Sequence, residues 1–132
     1  MVKAFSVRGL ARWTILSVGI GLALVSLNSA AYSWWVSWGP PTSVPAAWQH
    51  RAQTHLCYAG TILLFAFALF RTLRPSLRAD RWVWISLVLG VVVATVPHVA
   101  EFIAVDVCLD RGGRWNSPAH RCEWSESAPK TP

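Results

Sequence analysis

Long apolar runs separated by short basic or proline-rich segments dominate the pattern of this chain. The first run starts at Trp13 and meets no charged residue before Arg51. The second, AQTHLCYAGTILLFAFALF, lies between Arg51 and Arg71, and the third, WVWISLVLGVVVATVPHVA, lies between Arg81 and Glu101. A helix needs about 20 apolar residues to cross a bilayer. The pattern therefore predicts an all-α membrane protein with three transmembrane helices.

The boundaries of these runs predict seven consecutive segments. They are a cytoplasmic N-terminus (1–12), a helix (13–33), an external Trp- and Pro-rich loop (34–53), a helix (54–70), a cytoplasmic Arg-rich loop (71–81), a helix (82–105) and an external tail (106–132). Tryptophan is enriched where a membrane meets water. We therefore expect five tryptophans to act as interface anchors, namely Trp34, Trp35, Trp38, Trp82 and Trp84.

A cleavable signal peptide is the alternative for the first helix. Lys3, Arg8 and Arg12 would form its charged start, and LNSAAYS loosely resembles a cleavage site with small residues. Cleavage would leave two spans. The apolar run is long for such a peptide, so we expect it to stay as a membrane helix.

Composition and charge support the membrane assignment. The chain is 54% hydrophobic and 14% charged, whereas a soluble domain carries about 25% charged residues. The net charge of +6 is concentrated before the first helix and between the second and third. Because basic residues favour the cytoplasmic side, we expect the N-terminus inside and the C-terminus outside, in a bacterial inner membrane. This distribution favours membrane lipid as a partner and argues against nucleic acid.

Two cysteines of the tail, Cys108 and Cys122, enclose the turn signals Gly112-Gly113 and Asn116–Pro118. In the expected orientation they face an oxidising compartment, where disulfides form and persist. We therefore predict a Cys108–Cys122 disulfide that staples the tail. A metal site of Cys108, His120 and Cys122 is the rival interpretation, but three ligands at these spacings are a poor zinc signature. Cys57 is expected to be a free, buried thiol.

The tail pattern Cys108-Leu-Asp-x-Gly-Gly-x-Trp115, followed by a second cysteine and an acidic residue, resembles the tails of small uncharacterised bacterial envelope proteins. Some of those proteins are suspected to be immunity or accessory proteins. The resemblance implies a periplasmic disulfide hairpin. The plan of three helices with short loops is also similar to that of immunity proteins against pore-forming bacteriocins, although likeness of architecture does not establish function.

The stretch TVPHVAEF places polar residues near the outer end of the third helix. Residues spaced i, i+4, i+8 and i+11 share one helix face, and here they are Gly90, Ala94, His98 and Glu101. At about 1.5 Å per residue, His55 of the second helix lies at the same depth as His98. Pro97 frees one backbone carbonyl and can bend the helix at this level. We therefore expect His98, Glu101, His55 and Pro97 to form a polar contact, with Gly90 and Ala94 as the packing face below it.

Three interpretations of this polar contact compete. It can be a hydrogen-bonded pair that fixes helix packing, or a contact for a partner's membrane helix, an ion or a lipid head group. It can also be a proton relay or metal site that draws on His50, His55, His98 and Glu101. We adopt the packing interpretation and expect no bound metal.

No catalytic signature or cofactor motif appears in the chain. The sequence therefore predicts a non-enzymatic membrane protein without a cofactor, which acts by binding another membrane or periplasmic protein. Its specific form would be an accessory subunit of a membrane complex or an immunity protein. The alternative is a small transport or redox-coupled component that uses the outer histidines and Glu101 for protons or metal.

Overall fold

The computed structural model describes residues 7–39, 41–73 and 81–124 and contains three long helices followed by a small hairpin. The elements are α1 (Val7–Trp38), α2 (Pro45–Thr72), α3 (Arg81–Asp110), β1 (Arg114–Asn116) and β2 (Arg121–Glu123). All three helices are long and apolar enough to cross a membrane, which confirms the three predicted helices and fits a multi-pass membrane protein.

The loop after the first helix is much shorter than the predicted span 34–53. α1 continues to Trp38, and α2 already begins at Pro45. Proline is well suited to the first position of a helix, where its missing N–H would be unpaired in any case. Only residues 39–44 connect the two helices. As a consequence, Trp34, Trp35 and Trp38 lie on α1 and are exposed, while His50 lies near the start of α2.

The helices form a row with α2 in the middle, because α1 and α3 each pack along α2 and scarcely touch each other. Small residues allow the close approach. A Cβ atom added to Gly19 of α1 would overlap the side chain of Ala66 on α2. On the other side of α2, the Thr61 hydroxyl donates a 3.3 Å hydrogen bond to the carbonyl of Gly90 on α3. Such small-residue contacts are typical of helices that associate in membranes.

Large apolar side chains cover the outside of all three helices. Leu24 is 59% exposed on α1, Leu56 is 58% exposed on α2 and Phe102 is 72% exposed on α3. Trp82 and Trp84, at the start of α3, are also exposed. In water such a surface would be unfavourable, whereas lipid covers it at no cost.

The tail folds into a two-stranded antiparallel hairpin that is closed by the Cys108–Cys122 disulfide. This confirms the predicted bridge. It links the last turn of α3 to β2, and a crosslink that closes a loop of about 15 residues stabilises a fold by about 3 kcal/mol. Gly112 has a positive φ of 75°, a conformation that favours glycine.

Several predicted features lie partly or wholly outside the described residues. They are residues 1–6 of the N-terminal segment, most of the basic loop 71–81, and residues 125–132 of the tail.

Candidate functional site

Three side chains that can ligate a metal meet at the end of the helices where the hairpin lies. The Nε2 atom of His50 lies 3.8 Å from Oε2 of Glu101. The Nδ1 atom of His120 lies 3.5 Å from Oε1 of the same carboxylate. The ligand atoms of the three residues all lie within 4.8 Å of one another. We call His50, Glu101 and His120 the His–Glu–His cluster.

Each member of the cluster comes from a different element. His50 is on the second turn of α2, Glu101 is on α3, and His120 is in the turn between β1 and β2. The His120 backbone has a φ of 47°, in the left-handed region that non-glycine residues seldom adopt but histidine tolerates better than most. Its amide donates a 3.3 Å hydrogen bond to the carbonyl of Ser117. The cluster therefore joins the two helices to the tail.

The three side chains converge without bonding to one another directly. Within the described ranges none of them forms a side-chain hydrogen bond, and the separations of 3.5 and 3.8 Å exceed the usual N–H···O range of about 2.7–3.2 Å. The side chains of His50, Glu101 and His120 are 26%, 33% and 24% exposed, respectively. At these distances each histidine forms an ion pair with the Glu101 carboxylate when its ring is protonated.

The spacing is close to that of a metal's ligands. Bonds of about 2.0–2.2 Å to a tetrahedral zinc ion place neighbouring ligand atoms roughly 3.3–3.5 Å apart. The imidazole rings of His50 and His120 are stacked, with centroids 4.1 Å apart and planes 17° from parallel. Because a metal lies in the plane of each ring that binds it, at least one ring must turn for both histidines to bind the same ion.

A cleft of about 220 Å³ opens beside the cluster. It is lined by Ala46, Gln49 and Gln53 of α2, by Ala100 and Ala104 of α3, by Trp115 of the hairpin and by the cluster itself. The Trp115 indole N–H is buried and has no hydrogen-bond partner in the described part of the chain. The three residues of the cluster border this cleft and are partly exposed.

The residues predicted from the sequence are only partly brought together. Gly90 and Pro97 are buried, and Ala94 and Glu101 are half-buried, whereas His98 is exposed. At about 100° per residue, Pro97 lies about 20° around the helix from Gly90, while His98 lies about 80° from it. Pro97 therefore lies on the buried face that carries Gly90, while His98 is exposed in the single chain and its contact with another protein group stays a prediction.

His55 is also absent from the cluster. It is half-buried, and its ring stands perpendicular to that of Tyr58 at 6.3 Å. His55 lies five positions after His50, which places its side chain about 140° away around the helix. Equal depth in the membrane therefore did not imply contact between His55 and His98.

No sequence pattern pairs His120 with His50 and Glu101. The rival metal site predicted from the sequence groups His120 with Cys108 and Cys122, whose sulfurs are bonded to each other. The predicted disulfide could have indicated this contact. A bridge from the end of α3 to Cys122 folds the segment that contains His120 back toward the helix ends.

Comparison of the chain with protein-family models, with curated proteins and with solved structures found no match.

Proposed function

We propose that this chain is an integral protein of the bacterial inner membrane that captures a divalent transition metal ion at the outer end of its helices. The observation that carries the proposal is the convergence of His50, Glu101 and His120 from three separate elements. Their atoms approach to 3.5 and 3.8 Å without hydrogen bonds, an arrangement that one cation between them would stabilise.

The ligand types select the class of metal. Two imidazoles and one carboxylate suit zinc, copper, nickel or ferrous iron. Magnesium and calcium prefer oxygen ligands throughout, so the His–Glu–His cluster favours transition metals over both. Its overall charge with a bound divalent ion would be +1, because only Glu101 contributes a negative charge when both histidines are neutral.

Three protein ligands also indicate an exchangeable site. Structural zinc sites close all four positions with protein atoms, whereas sites with three protein ligands keep a position for water or another molecule. Here the open position would face the cleft beside Gln49 and Gln53. We therefore propose capture and release of the ion rather than a purely structural role.

The expected orientation in the membrane would determine the face on which the cluster lies. Basic residues around the N-terminus and in the loop 71–81 favour the cytoplasmic side. The cluster lies at the other end of the helices, which would place it on the periplasmic face. A disulfide in the same region is compatible with that compartment.

Metal binding in detergent tests the proposal. The purified protein should bind one zinc ion in competition with a chromophoric chelator. His50→Ala and His120→Asn should each raise the Kd more than about 100-fold. Loss of an outer-shell partner alone weakens metal affinity about 10–100-fold, and these residues are proposed as direct ligands. Asparagine tolerates the left-handed backbone at position 120, so His120→Asn removes the ligand without adding strain.

His55→Ala and His98→Ala are the matched controls, since both remove a histidine at nearly the same membrane depth. Each should change the Kd by less than about threefold, because neither belongs to the cluster. Equal losses in all four variants would contradict the assignment of ligands, and an absence of zinc binding by the wild type would overturn the proposed function.

The role of an accessory subunit or immunity protein, which the sequence analysis favoured, stays a prediction. It is compatible with metal capture, because neither role excludes a bound ion.

A further inference from the structure

We infer that the Cys108–Cys122 disulfide positions His120 in the metal site, so that the protein holds its ion tightly only when this disulfide is formed. The inference rests on the proposed function, since it concerns how the same three ligands are held together. Cys108 and Cys122 are therefore positioning residues, which act on the ion through His120.

The chain path shows why His120 depends on the bridge. His50 and Glu101 lie on helices that pack against each other along their length. His120 instead lies in the tail segment that the disulfide closes, two residues before Cys122. Cys108 follows Glu101 by seven residues, which places both about 20° apart on the same face of α3. The bridge thus draws His120 toward the face that carries Glu101.

The hairpin alone is a weak support for this geometry. Each strand has only three residues, and an isolated two-stranded hairpin is marginally stable in water. Among the described residues, the other bonds between α3 and the following turn are backbone hydrogen bonds from Gly112 to Leu109 and from Gly113 to Cys108, both 2.9 Å. Neither of these bonds reaches the turn that contains His120.

Gly113 shows how closely the chain packs around the sulfurs. A Cβ atom added at this position would overlap the Sγ atom of Cys122 and would lie 3.0 Å from the Sγ atom of Cys108. A larger residue there would displace the bridge while leaving both cysteines in the chain. Gly113 is therefore a third positioning residue of the site.

Reduction of the bridge would loosen the site. A dithiol reductant gives two electrons and two protons to the disulfide, which yields one thiol on Cys108 and one on Cys122, and the reductant itself becomes a disulfide. The metal stays divalent throughout. It loses affinity because the turn that carries His120 is then held by the short hairpin and by packing contacts such as the stacking on His50, without the covalent crosslink to α3.

The experiment compares zinc binding by the full chain in detergent for four proteins. They are the wild type, the double variant Cys108→Ser/Cys122→Ser, Gly113→Ala, and Cys57→Ser as the control that removes the free cysteine of α2. The double variant should raise the Kd at least tenfold, and Gly113→Ala should raise it by a smaller factor. Cys57→Ser should stay within about twofold of the wild type.

A spectroscopic readout separates positioning from general stability. With Cu²⁺ as the probe, electron paramagnetic resonance should show two coordinating imidazole nitrogens in the wild type and one in the double variant. Wild type that has been reduced with a dithiol and alkylated should match the double variant. If circular dichroism shows that the double variant has lost its helices, the reduced and alkylated wild type tests the inference in its place.

Different results would overturn the positioning role of the disulfide and the proposed metal site. Zinc binding that depends on His120 but is equally tight in the folded double variant would overturn this inference and leave the proposed function standing. Tighter binding by reduced, unalkylated protein would also overturn it, because thiolates would then be the ligands. A wild type that binds neither zinc nor copper would overturn the proposed function, and the inference with it.

Discussion

Glu101 is the residue on which the proposed site depends most, because its two carboxylate oxygens face different histidines. Oε2 faces His50 on α2, and Oε1 faces His120 in the tail. A carboxylate near the end of a membrane helix costs far less than one at the bilayer centre. Because both histidines lie close to its carboxylate, Glu101 is the residue that would link them through the proposed ion.

A second carboxylate, Glu123, stabilises the hairpin in a pH-dependent way. Asn116 donates a 2.7 Å hydrogen bond to Oε1 of Glu123, and Arg121 lies 3.3 Å from the same oxygen. The Asn116 hydrogen bond, followed by the contribution of Arg121, lowers the pKa of Glu123 below its usual value of 4.5. A lowered pKa means that the folded hairpin favours the ionised carboxylate, so its contribution is present above pH 4.5 and is lost as the pH falls through the lower, folded value.

We therefore expect acid to loosen the hairpin at Glu123. Amide hydrogen exchange in residues 114–123 should become faster, after correction for intrinsic rates, when the pH falls below about 4.5. Glu123→Gln should remove most of this dependence, because glutamine does not ionise. An identical acid response in the wild type and Glu123→Gln would contradict the assignment.

At the scale of elements, the contact between α1 and α2 depends on a glycine. Gly19 faces Ala66 so closely that a Cβ atom would overlap it, whereas a Cβ atom on Gly21 would meet nothing within 4 Å. Overpacking at such a contact typically costs about 1–3 kcal/mol. The two glycines therefore form a matched pair of positions on the same helix.

Gly19→Val should lower the thermal midpoint of the detergent-solubilised protein by several degrees, because α1 must move away from α2. Gly21→Val adds the same side chain to the same helix and should leave the midpoint nearly unchanged. The measurement is thermal unfolding followed by circular dichroism. Equal effects of the two substitutions would show that helix propensity, rather than the contact with Ala66, determines the result.

The elements were largely predictable from the sequence, but the site was not. Apolar run length determines the membrane spans, so three helices followed from the absence of charge. The starts and ends were less certain, because Pro45 can either interrupt or begin a helix. Taking it as part of a loop placed His50 outside the second helix, so the expected contact at equal depth fell on His55 rather than on His50.

The fold of the tail was also only partly predictable from the sequence. The spacing of Cys108 and Cys122 predicted the bridge, but the direction in which the closed segment folds depends on its turns. The left-handed conformation of His120 brings its ring over His50, and no sequence pattern specifies that contact. The depth of each histidine along its helix follows from the sequence. Contact between two histidines also depends on which face of each helix carries them.

For the molecule as a whole, its orientation in the membrane would determine which compartment supplies the proposed ion. Basic residues before α1 and between α2 and α3 favour the cytoplasmic side. A periplasm-sensitive reporter fused after Pro132 should be active, and the same reporter inserted within 71–81 should be inactive. The reverse pattern would place the cluster on the cytoplasmic side and would contradict capture from the periplasm.

Zinc K-edge X-ray absorption of the loaded protein tests whether His50, Glu101 and His120 together bind one metal ion. We expect a first shell of nitrogen and oxygen atoms at about 2.0–2.1 Å, with outer-shell scattering from two imidazoles that falls to one in His120→Asn. A sulfur atom at about 2.3 Å in the first shell, or a spectrum that His120→Asn leaves unchanged, would contradict it.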